Sequence, residues 1–141
     1  MAVEEPGICG RVREFMSDEM KRMLVLAGIN IEALMGRIGQ NEKLLCRLLG
    51  RFMEDENYKK LAEAMKTGDR EAALMASHTL KGMTGNLSMD QLYQIVTRQV
   101  CAMRAENWLE AELAMGEITA WYEKIQNGIH AALTAGGGQN L

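Results

Sequence analysis

Ser77-His78-Thr79-Leu80-Lys81-Gly82-Met83-Thr84-Gly85-Asn86-Leu87 is the stretch that decides how this chain is read. At about 100° per residue, Ala73, Ala76, Leu80, Met83 and Leu87 recur every three or four positions and form one apolar stripe, the mark of a helix with a buried face. His78 lies off that stripe, about 160° from Leu80 and about 180° from Leu87, so burying the stripe turns the imidazole to solvent. The same outward face carries Met75 and Lys81 three residues away, Leu74 and Gly82 four away, and Glu71 and Gly85 seven away.

This company suits a histidine that carries a phosphoryl group. Neutral imidazole is a competent nucleophile near neutral pH, where most histidine is unprotonated. Lys81, one turn on, can pair with phosphoryl oxygens, a Coulomb term of about 1 to 4 kcal/mol at 4 Å on a protein surface. Gly82 removes a side chain where a partner must come close, although a glycine inside a helix costs roughly 1 kcal/mol relative to alanine. Gly85 has a plainer explanation in its place near the helix end.

His78-Thr79-Leu80-Lys81-Gly82, followed by Gly85-Asn86-Leu87, resembles the signature of the histidine-containing phosphotransfer (HPt) domains of multistep phosphorelays. The likeness extends to Gly28-Ile29-Asn30 before a short helix, to Gly39 before Asn41, and to Arg51-Phe52-Met53-Glu54-Asp55. It covers residues 28–133. The resemblance implies that His78 is the phosphoacceptor and Lys81 the phosphoryl-stabilising lysine. It implies that Gly82 and Gly85 are the small residues that let a receiver domain dock; Glu71, Leu74 and Met75, which share the outward face with His78, are the further candidates for that partner surface. Two features depart from the family: Ser88 stands where glycine is usual, and the segment between Asp55 and Leu61 is short.

Composition narrows the alternatives. The chain has 141 residues, enough for one domain with a core that needs neither disulfides nor metal. Sixteen Lys and Arg against 19 Asp and Glu leave a net charge of −3, with no basic footprint for nucleic acid. Cys9, Cys46 and Cys101 are odd in number and widely spaced, which indicates neither a disulfide framework nor zinc. The start, Met1-Ala2-Val3-Glu4-Glu5-Pro6, lacks the basic and apolar runs of a signal peptide, and no apolar stretch approaches 18 residues. A cytoplasmic monomer without membrane contact is expected.

With Pro6 as the single proline and no alternating β-branched runs, an all-α fold is predicted. An extra helix is expected from Arg11 or Ser17 to Ala27, with Met16, Met20, Met23, Leu24 and Ala27 on its stripe, Ser17 a candidate N-cap and Gly28 a candidate C′ glycine. Asn30 caps a short helix over 31–38. Asn41 caps the next, which carries Leu44, Leu45, Leu48, Phe52, Leu61 and Met65 to about Lys66 with a bend near residues 54–57. Gly68 and Asp69 end that helix and cap the one bearing His78. Ser88 and Gln91 have capping-box spacing, with Leu87 and Leu92 as a hydrophobic staple, and Met89, Leu92, Val96, Val100 and Met103 form the stripe that follows. Asn107 opens the last helix, through Ala111, Met115, Ile118, Tyr122, Ile125 and Ile129. The prediction is an antiparallel up-down four-helix bundle over residues 28–133, with one or two additional short helices on the N-terminal side. Residues 1–27 form a lead-in and extra helix, and residues 134–141 a flexible tail. The caps at both ends point to a stand-alone protein. Most of the 12 methionines lie on core stripes; Met75 and Met53 are the candidates for a partner surface, and His130 has no motif around it.

The resulting expectation is a phosphocarrier. A receiver-domain aspartyl phosphate, in a response regulator or a hybrid histidine kinase, gives its phosphoryl group to His78, and a second receiver takes it away. No cofactor is expected, since Mg²⁺ and the acidic pocket belong to the receiver and the chain has no ATP-binding loop. Two rivals remain: a helical hydrolase or lyase using His78 as general base, which needs a concave pocket, and a bundle that sequesters a receiver or kinase without taking phosphate.

Overall fold

The computed structural model describes residues 17–138. Residues 1–16 and 139–141, which include the expected lead-in, Met16, Cys9 and the end of the expected tail, lie outside the described residues. Every regular element among the described residues is a helix: α1 Asp18–Ala27, α2 Ile31–Arg37, α3 Glu42–Met53, α4 Asn57–Thr67, α5 Arg70–Asn86, α6 Asp90–Arg104 and α7 Trp108–Gly138. No described helix is long and apolar enough to cross a membrane.

Short polar side chains start most of these helices as the sequence implies. Ser17 Oγ accepts from Met20 N, Asn30 Oδ1 from Ala33 N, Asn41 Oδ1 from Leu44 N, Asp69 Oδ1 from Ala72 N and Asn107 Oδ1 from Glu110 N. Each satisfies one of the N–H groups that a helix start leaves unpaired. Gly28 and Gly68 end α1 and α4 at φ 117° and φ 80°, left-handed values that only glycine takes freely.

Three expectations need correction. Residues 54–57 do not bend one helix but separate α3 from α4, because the Asp55 carboxylate accepts from both Asn57 N (2.9 Å) and Asn57 Nδ2 (2.7 Å) and so starts a new helix. The buried stripe of α3 is Leu45, Cys46, Leu49 and Phe52, with Leu44 and Leu48 only half-buried. The Ser88 capping box does not form: Met89 is the N-cap of α6, without a side-chain cap, while Ser88 sits at φ 56° with its Oγ buried and unpaired. In addition, α7 continues through Gly138, so the helix takes in residues 134–138.

The described residues divide into two compact units, residues 17–54 with 124–138, and residues 55–123. In the first, Lys21 pairs with Glu42 at 2.9 Å, and Gln126 Nε2 donates to Phe52 O at 3.3 Å. There α1 lies so close to α7 that a Cβ at Gly128 would overlap the Ala27 methyl. The extra N-terminal helix is thus a packing element of this unit, and its Met20, Leu24 and Ala27 are buried.

The second unit carries the candidate site. α4 packs on α5, and α5 on α6. Arg98 on α6 holds Glu110 (3.2 Å) and Glu117 on α7. Tyr58 on α4 stacks on Tyr122 of α7 with centroids 4.2 Å apart, and its hydroxyl hydrogen-bonds Thr119 at 2.8 Å. The core of this unit includes Leu61, Leu80, Leu92, Val96, Met103 and Ile118, each at most 1% exposed. Burial of such a side chain contributes about 1.5 to 3 kcal/mol, so this apolar layer fixes which face of α5 turns outward.

Candidate functional site on the outer face of α5

The two faces of α5 are chemically opposite. Inward lie Ala73, Ala76, Ser77, Leu80 and Thr84, all buried; Met83 is only half-buried and Thr84 takes its place on the stripe. Thr84 meets the apolar layer by donating its hydroxyl to Lys81 O at 3.0 Å. Outward lie Glu71, Met75, His78 and Gly82, all exposed, with Leu74, Lys81 and Gly85 half-buried. Met75 is 66% exposed, unusual for a large apolar residue.

Arg104 Nη2, from the last turn of α6, lies 3.4 Å from His78 Nδ1. A guanidinium can only donate, so the contact uses the Nδ1 lone pair and does not engage Nε2. Lys81 stands one helical turn along, with no acidic partner among the described residues. Two cations therefore flank an exposed imidazole, an arrangement suited to a group bearing negative oxygens.

The two glycines differ. A Cβ on Gly82 would meet nothing within 4 Å, so packing inside the molecule does not require glycine there. A Cβ on Gly85 would lie 2.9 Å from Tyr93 Cε1. Gly85 therefore has a local role, making room for the Tyr93 ring on α6. Beside the histidine face, an open groove of about 620 Å³ runs between α4 and α5, lined by Lys60, Ala64, Ala72, Met75, Ala76 and Thr79 among others. Among the described residues, no group of three or more His, Cys, Asp or Glu side chains is placed to hold a metal ion.

Arg104 is the residue that sequence reading missed. Folding α6 back on α5 about Ser88 sets residue 98 level with His78, and Arg104, more than a turn farther along α6, reaches back to the imidazole, so helical spacing alone does not single it out. Glu71, Leu74, Met75, Lys81, Gly82 and Gly85 need no such fold, since the helical repeat alone puts them on one face with His78. No protein family, curated protein or solved structure matches this chain.

Proposed function

We propose that this chain is a histidine phosphocarrier, and that α4, α5, α6 and the first part of α7 are the arms of an antiparallel up-down bundle that presents His78. The observation that carries the reading is an exposed imidazole with two cations beside it, Lys81 and Arg104, on a helix face that also carries Met75, Leu74 and Gly82. A general base needs a concave pocket and a second group to orient the ring toward substrate. His78 is exposed and is not among the residues that line the groove beside it.

In the proposed step, the Nε2 lone pair of the neutral ring attacks phosphorus of a receiver's aspartyl phosphate. The Nε2–P bond forms as the P–O bond to the aspartate breaks, and the carboxylate leaves with the electron pair. A ring that accepts Arg104 at Nδ1 carries its proton on Nε2, so before attack Arg104 leaves Nδ1 and the exposed ring exchanges the Nε2 proton with water and takes one at Nδ1; the developing phosphoryl oxygens then give Arg104 an acceptor. Lys81 approaches the same oxygens from the next turn. Receiver-bound Mg²⁺ and acidic residues serve the aspartate; this chain contributes the nucleophile and the flanking charge. Met75, Leu74 and the groove beside them form the docking surface, with Gly82 allowing close approach. The partners are response-regulator receiver domains or a hybrid kinase, and the contact is small enough to part after each transfer.

The test is a two-step relay. A ³²P-labelled receiver is mixed with the protein, and a second receiver is then added. Label passing through the wild type to the second receiver, and stopping at the first with His78→Ala, is the expected result. Tight binding of a receiver without any label transfer would overturn the reading in favour of a sequestering bundle.

A further inference from the structure

Beneath His78 lies a polar bridge that the apolar core does not require. Ser77, the residue just before His78, donates its hydroxyl to Gln99 Oε1 at 2.8 Å. Gln99 Nε2 donates to Ala111 O at 3.0 Å and meets Met115 Sδ at 3.6 Å. Ser77 and Gln99 are both 0% exposed. The amide orientation is fixed by its partners: turned over, its oxygen would face the Ala111 carbonyl and its NH₂ group would lose that acceptor. One side chain thus ties three helices, α5, α6 and α7, at the level of the candidate site.

Such a bridge is an expensive way to gain stability. A buried neutral hydrogen bond contributes little net, because both groups leave water to form it, and an apolar pair of similar volume serves about as well. What it supplies is register. Leu80, Val96, Val100 and Met103 can slide or rotate past one another with small loss, whereas a hydroxyl and an amide meet in one alignment only. Gln99 lies five residues before Arg104 on α6, and Ser77 one residue before His78 on α5.

We infer that Gln99 is a positioning residue: through Ser77 and Ala111 it sets the register of α5 on α6 that brings Arg104 to Nδ1 of His78. The consequence for phosphoryl acceptance rests on the phosphocarrier reading; the consequence for the imidazole does not. An ångström-scale misplacement of a reacting group can cost on the order of 100-fold in rate.

The test compares wild type, Arg104→Ala and the double variant Ser77→Ala/Gln99→Leu, which replaces both polar partners by apolar groups and is expected to melt at or above the wild-type temperature. The first readout is the pair of ring ¹⁵N shifts of His78 by NMR. Arg104→Ala is expected to change them, and the double variant is expected to change them the same way while remaining folded. The second readout is the rate of His78 phosphorylation by phosphoramidate, a small donor that needs no docking, expected to fall about 10-fold in the double variant. If the double variant does not fold, Ser77→Ala alone, which keeps the Gln99–Ala111 bond, is read in the same way. Wild-type ring shifts in a folded variant, or ring shifts insensitive to Arg104→Ala, would overturn the inference. Altered ring shifts with no phosphorylation of the wild type by any donor would keep it and discard the phosphocarrier reading.

Discussion

The turns before and after α5 have the same backbone and opposite chemistry. In Thr67-Gly68-Asp69, Asp69 N donates to Ala64 O at 3.0 Å across a left-handed residue. In Leu87-Ser88-Met89, Met89 N donates to Thr84 O at 2.9 Å across another. Both are the closing pattern in which a left-handed C′ residue lets a helix satisfy its last carbonyls. The first uses glycine at C′ and an aspartate that caps the next helix, and it is exposed. The second forces serine to φ 56° with its hydroxyl buried and unpaired, and Leu87, Ser88 and Met89 are all buried. One turn follows from local preference. The other is held by the burial of its neighbours.

That contrast orders the expected effects on stability. Gly68→Ala places a Cβ in the left-handed region and should cost about 1 to 2 kcal/mol in urea unfolding. Ser88→Gly should do the reverse, relieving the left-handed strain and removing the unpaired hydroxyl, for a gain of about 1 kcal/mol. A loss on Ser88→Gly would show that the buried Ser88 hydroxyl is hydrogen-bonded in solution. Asp69→Ala should cost about 1 kcal/mol as a lost N-cap. Gln91→Ala should cost less than about 0.5 kcal/mol, because Gln91 belongs to a capping box that does not form. Equal costs for Asp69→Ala and Gln91→Ala would erase the distinction between the two turns.

The same distinction explains what could be read from the sequence. The caps Ser17, Asn30, Asn41, Asp69 and Asn107 act within three residues of themselves, and the sequence places all five. The outward face of α5 is equally legible, since a helical repeat needs only the identity of its apolar stripe. The α3–α4 break was hidden because Glu54-Asp55-Glu56-Asn57 holds no glycine or proline; the Asp55 carboxylate bonds to Asn57 make it. Ser88 misled for the opposite reason, since its spacing to Gln91 suits a capping box while the buried turn places it at C′. Arg104 and Gln99 lie 26 and 22 residues from their partners, His78 and Ser77. Only the folding of α6 back onto α5 brings them together. Gly85 shows the same limit: its neighbour Tyr93 comes from the next helix, so a residue that reads as a docking feature also has a packing role.

The most direct measurement takes phosphoryl transfer from a phosphorylated receiver domain to the wild type and to His78→Gln, both checked for folding by circular dichroism. The account predicts label on the wild type alone, lost in acid and kept in base as a phosphoramidate is. Equal labelling of His78→Gln, or a product stable to acid, would place the phosphoryl group elsewhere and contradict it.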